Sequence, residues 1–175
     1  MSWPGGIRRA VAGLLGRKAN GSLAFDKLFL SATSGKAEAQ YQLGLAYARG
    51  HETMHYPSVG LKWLSRAAEQ GHAEAQHMVS LLYLNGARAR GPAAAWMAEI
   101  ASLSSQRNTL PPNANAVLLY PEGLDVQADA SKAFAWAKAA AFQGLAVAQS
   151  NLGMLYLRGV GCERDFAEAA RLSSA

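Results

Sequence analysis

The 175-residue sequence is half hydrophobic, enough to bury the core of one domain, and no stretch approaches the roughly eighteen uninterrupted apolar residues of a membrane span. Its single cysteine, Cys162, excludes an intrachain disulfide and fits a reducing compartment. The net charge of +5 is local: Arg8, Arg9, Arg17 and Lys18 precede the first acid, Asp26, leaving 13 of the 17 basic residues against 12 acidic ones, so a basic nucleic-acid-binding face is excluded too.

Residues 1–21 form a basic segment of their own, with Ile7, Val11, Leu14 and Leu15 at helical spacing and no acid. This pattern reads as a capping helix or a frayed terminus, with a mitochondrial presequence or a membrane-surface contact as alternatives. A cytoplasmic location is expected, with the mitochondrion as the alternative. The remainder, 22–175, is the folded body. It begins with a helix over 22–34 that ends before Gly35.

From Gly35 the chain repeats itself. GKAEAQYQLGLAYARG, residues 35–50, returns at 71–86 as GHAEAQHMVSLLYLNG and at 144–159 as GLAVAQSNLGMLYLRG, with a remnant at Tyr120–Gly123. Tyr47, Tyr83, Tyr120 and Tyr156 are spaced by 36, 37 and 36 residues. A period of this length marks stacked units, each covering the apolar face of its neighbour. Ala39, Leu43 and Tyr47 make one helical stripe, with Gly44 permitting close approach. A second helix follows, marked by Trp63 sixteen residues after Tyr47 and by Trp136 sixteen after Tyr120.

The pattern Ala-x-Ala-Gln-x-x-Leu-Gly-x-x-Tyr-x-x-Gly, followed by Asp-x-x-x-Ala-x-x-Trp-x-x-x-Ala-Ala-x-x-Gly, resembles the Sel1-like repeat, a relative of the tetratricopeptide repeat. The likeness covers roughly residues 37–175. It implies an all-α fold, an α-solenoid of stacked antiparallel helix pairs wound into a right-handed superhelix. It also implies a non-enzymatic scaffold or adaptor that binds protein partners and needs no cofactor or metal.

On this register the pairs fall at about 37–70, 73–105, 110–143 and 146–175. Pro57 and Pro92 open the second helices of the first two pairs, and Trp96 stands out of register for the usual tryptophan. The third pair is degenerate, since NTLPPN at 108–113 replaces the repeat's opening and residues 107–119 depart from the pattern. Asp129 is expected to cap helix 130–143, and Asp165 with Glu168 to form a capping box ahead of helix 166–174.

One stretch spells catalytic chemistry. His51-Glu52-Thr53-Met54-His55 matches the H-E-x-x-H zinc-hydrolase signature, with Glu74 as a conceivable third ligand. That chemistry requires both histidines on one continuous helix. Here Gly50 precedes the motif and Pro57 follows it, so a solvated loop is expected and zinc hydrolysis is the secondary alternative. Cys162 is expected as a packed side chain in a turn, Gly159-Val160-Gly161 as a turn, and Trp63 and Trp136 as core.

The likeness to tetratricopeptide solenoids places the partner-binding surface on the concave face, lined by first helices. Carried over by register, its candidates are Glu38, Tyr41, Leu45 and Ala48; Glu74, His77, Leu81 and Leu84; and Val147, Ser150, Met154 and Leu157, with Leu118 from the degenerate unit. Most are apolar, which suits an amphipathic helix or apolar peptide as ligand. The competing reading is that these positions are ordinary packing between repeats. A third is that the chain's own residues 7–18 fill the groove. Neither nucleic acid nor integral membrane association is expected.

Overall fold

The computed structural model describes residues 23–49, 55–88 and 125–173. Among them are seven α-helices: α1 (Leu23–Thr33), α2 (Ala37–Arg49), α3 (Pro57–Glu69), α4 (Ala73–Asn85), α5 (Ala130–Phe142), α6 (Ala146–Arg158) and α7 (Phe166–Ser173). Several expectations lie outside the described residues: the segment 1–21, His51–Met54, helix 92–104 with Pro92 and Trp96, and the departing stretch 107–119 with Leu118. No described helix is long and apolar enough to cross a membrane.

The helices stack as an α-solenoid. α2 packs on α3, α4 on α5 and α6 on α7, while α3 meets α4, α5 meets α6, and α1 covers α2. One backbone bond closes every pair at the same register: Tyr56 donates its N–H to the Tyr47 carbonyl at 3.0 Å, Asp129 to Tyr83 at 2.8 Å and Asp165 to Tyr156 at 3.1 Å. The apolar stripe of each first helix is buried, with Leu43, Tyr47, Val79, Ala148 and Leu152 in the core beside Leu64, Ala67, Ala133, Ala137 and Ala140 from the second helices.

Small residues set how closely the paired helices cross. A methyl added at Gly60 would lie 2.7 Å from the Ala48 nitrogen and 2.8 Å from the Gly44 oxygen, so only hydrogen fits between these backbones. In the next pair Ser80 takes the place of Gly44, and its hydroxyl donates to the Ala133 carbonyl at 2.7 Å. That bond satisfies a hydroxyl which is buried at 3% exposure.

In the middle of the chain α4 packs on α5, residues 130–142, while the helix expected over 92–104 lies outside the described residues. Helices from two sequence units, 73–105 and 110–143, therefore make one pair. The equivalent side-chain bond spans 30 residues in the first pair, from Gln70 to Gln40, and 67 in this one, from Gln143 to Gln76. The excess equals the 37 residues between Tyr83 and Tyr120. An isolated antiparallel bridge between Ala87 and Val126 clasps the two ends of the undescribed stretch 89–124.

Local expectations were met in part. Pro57 opens α3, and Asp129 Oδ1 accepts the Lys132 N–H at 3.0 Å. Asp165 Oδ1 accepts from Ala167 and Glu168, both at 3.0 Å. The return half of a capping box is missing, because the Asp165 N–H goes to Tyr156 and the Glu168 carboxylate takes Arg171 at 2.7 Å. Trp63 and Trp136 are half-buried rather than core. Trp63 meets Phe29 edge to face at 6.1 Å and carries Arg66 over its ring at 4.8 Å, while Trp136 packs on the cluster around Leu64 and Val79.

Candidate functional site

The candidate binding positions recur at one register on α2, α4 and α6, yet their surroundings differ along the stack. On α2, Glu38 is exposed, Tyr41 and Leu45 are half-buried, and Ala48 is buried. On α4, Glu74 is exposed, whereas His77, Leu81 and Leu84 are half-buried. On α6, Val147, Ser150, Met154 and Leu157 are all exposed, with Met154 and Leu157 at 44%. Tyr41 and Leu45 pack on the cluster around Leu64 and Val79, and Leu84 on the cluster around Leu152 and Leu155. Those three side chains join neighbouring repeats, and the open apolar stripe belongs to α6.

Three of the candidates converge on a residue that the sequence reading missed. His72 is the N-cap of α4, its Nδ1 accepting the Ala75 N–H at 3.3 Å. The ring proton then sits on Nε2, which donates to Glu38 Oε2 at 3.0 Å. Tyr41 stacks on the imidazole with ring centroids 4.6 Å apart. Glu74 Oε2 also lies 3.2 Å from Nδ1, a pair that becomes attractive only in the imidazolium, where the cap bond would be given up. Glu38 is held below the usual carboxylate range by the Gln42 amide first and His72 second. Burial pushes the Tyr41 phenol up.

His77, one turn along α4, has a buried Nδ1 with no hydrogen-bond partner among the described residues, and burial lowers its pKa below the ordinary histidine value. Cys162 is half-buried, with its thiol directed to the Leu155 carbonyl at 3.7 Å, and burial followed by the Asp165 charge pushes its pKa up. A raised thiol pKa suits packing rather than nucleophilic attack.

The recurrent glutamines form a buried ladder. Gln40 and Gln76, at 6% and 7% exposure, donate to the carbonyls of Ala32 and Ala68 at 3.2 and 3.0 Å. Each accepts a 2.7 Å bond from the glutamine that ends a second helix, Gln70 or Gln143. The signal was legible: glutamine recurs after Ala-x-Ala and again just before the closing glycine.

The flanking helices end at Arg49 and begin at Pro57, and His55 lies outside both. Among the described residues no group of three His, Cys, Asp or Glu side chains is placed to hold a metal ion.

The Sel1 repeat model matches residues 37–72, 73–102, 116–145 and 146–174. The chain belongs to the Sel1 repeat family. Repeats of this family typically mediate protein–protein contacts, and their fold is typically a non-catalytic scaffold. A crystal structure of a Sel1 repeat protein from Oxalobacter formigenes is similar at 24% identity and a TM-score of 0.56, with 86% of each chain covered, which establishes the fold. A second solved structure, c5321, a protective antigen present in uropathogenic Escherichia coli strains and displaying an SLR fold, is 30% identical over 85% of this chain and 32% of its own, with a TM-score of 0.34. A search of curated proteins returned no significant match. The second and third matched repeats each lend one helix, α4 and α5, to a single packed pair.

Proposed function

We propose that this Sel1 repeat chain is a non-enzymatic scaffold that binds an apolar or amphipathic segment of a partner protein along its first helices. The observation carrying this reading is the exposed stripe Val147, Met154 and Leu157 on α6, at 58%, 44% and 44% exposure. Water contact on three large apolar side chains at one register of a packed helix favours cover by a partner. An amphipathic helix meets the geometry, because its own apolar stripe repeats every three to four residues. Glu38, Tyr41, Glu74, His77 and Ser150 would supply polar contacts and selectivity along the same register, and Leu81 an apolar one.

The test compares wild-type protein with Met154→Glu and Leu157→Glu as bait in native lysate, after circular dichroism shows that helix content is unchanged. Loss of one partner by both variants supports the reading. An unaltered set of captured proteins removes α6 from the binding surface.

A further inference from the structure

The seam where α4 meets the stretch leading into α5 carries a dipeptide with chemistry of its own. Asn85 is the last residue of α4 and is exposed, and its Nδ2 donates to the Leu81 carbonyl at 3.1 Å. Gly86 follows at φ 62° and ψ 172°, a backbone region open essentially to glycine alone. A Cβ at Gly86 would stand 3.0 Å from the Val126 oxygen and 3.3 Å from the Ala128 nitrogen. The fold therefore requires glycine here, and a residue without a Cβ is also the one that least hinders attack by its own amide nitrogen.

We propose that Asn85 is a site of spontaneous deamidation, which converts it to aspartate or isoaspartate through a succinimide shared with Gly86. The Gly86 backbone nitrogen gives up its proton to water and attacks Asn85 Cγ. A five-membered ring closes as the new N–C bond forms, the Cγ–Nδ2 bond breaks, and Nδ2 takes a proton and leaves as ammonia. Water then opens the ring. Cleavage between the Gly86 nitrogen and Cγ gives aspartate, whereas cleavage of the original backbone amide gives isoaspartate, with Cβ and Cγ now in the main chain. No electron acceptor or donor is needed.

Position favours the reaction at this asparagine. Ring closure turns Asn85 away from helical geometry, which at the last residue of a helix disturbs only terminal bonds. Asn151, the other asparagine among the described residues, is half-buried inside α6 and precedes the buried Leu152. The consequence follows from what Gly86 and Ala87 touch. Isoaspartate lengthens the chain by one carbon immediately before Gly86, which moves it off its seat against Val126 and Ala128. Ala87 and Val126 exchange two backbone bonds, at 2.9 and 2.7 Å, and the same shift loosens both. Asn85 is thus a slow, one-way clock on the clasp, independent of any partner at the first helices.

The test incubates the full chain at mildly alkaline pH and maps its peptides over time by mass spectrometry. The expected result is steady replacement of the Asn85 amide by an acid, isoaspartate among the products, with Asn151 unchanged. Asn20-Gly21, the same dipeptide outside the described residues, falls in a separate peptide and shows that the conditions suffice. Asn85→Gln should lose the conversion, because its ring would need six members. In the aged wild type the amides of Ala87 and Val126 should exchange with solvent faster than in fresh protein. Asn85→Asp, which adds the charge without the extra carbon, should keep the fresh rates. Conversion at Asn20 with an intact Asn85 would overturn the proposal, and unchanged exchange at Ala87 and Val126 in the isoaspartate form would overturn the clock.

Discussion

The Asp129 N–H donates to the Tyr83 carbonyl at 2.8 Å, joining residues 46 positions apart in the way that Tyr56 and Tyr47, only nine apart, are joined in the first pair. The first and second helices of one pair thus come from different copies of the repeat. The bridge between Ala87 and Val126 brings the chain back to within one hydrogen bond of where it left.

Deleting residues 89–124 should therefore leave a folded protein. Arg88 and Asp125 would become a two-residue loop across the bridged pair, the shortest common hairpin connection. We expect retained helicity and one cooperative thermal transition by circular dichroism. Collapse of the fold would show that α4 needs a helix from the deleted stretch.

The crossing of paired helices can be probed at two small residues. Gly60→Ala should gain about 1 kcal/mol of helix propensity but lose up to about 3 kcal/mol to overpacking, because its methyl would strike backbone atoms that cannot swing away. A net loss of about 2 kcal/mol is expected. Ser80→Ala removes the bond to Ala133 and should cost about 1 kcal/mol. Urea midpoints at unchanged slope measure both.

His77 predicts a pH dependence of stability. Its folded-state pKa lies below the ordinary 6.5 because burial disfavours the imidazolium, so the unfolded chain binds the proton more readily. This contribution is complete above about pH 6.5 and is lost as pH falls from there through the folded-state value. His77→Gln should show a flatter decline of Tm between pH 7 and 5 than wild type. Parallel curves would rule out the assignment.

Glutamate substitutions separate packing from recognition. Leu45→Glu, in contact with the cluster around Leu64, should destabilise by about 1–2 kcal/mol, the worth of a half-buried leucine. Met154→Glu, at the same register on an exposed face, should stay within about 0.5 kcal/mol of wild type. Chemical denaturation distinguishes them, and equal losses would place α6 in the core.

Helix boundaries were readable because each element carries its own punctuation. Pro57 opens α3, Asp129 caps α5, and α4 and α6 close at Gly86 and Gly159. The packing of α4 on α5 was not readable. Tyr83 and Tyr120 occupy the same register 37 residues apart, so both satisfy the pattern that precedes Asp129, and only three-dimensional packing chooses between them. Exposure at the candidate site was equally hidden. Leu45, Leu81 and Met154 share a register, but their burial depends on the bulk of neighbouring repeats. The His72 cluster escaped notice because it joins Glu38 to Glu74 across 36 positions through a residue that precedes α4.

The glutamine ladder has a direction. Gln70 reaches to Gln40, which holds Ala32, and Gln143 reaches to Gln76, which holds Ala68, so every rung ties a helix to the two preceding it. The third rung begins at Gln149 and has no donor above it among the described residues. Breaking one rung should accordingly loosen three helices together, so Gln76→Met should hasten amide exchange in α3, α4 and α5 at once.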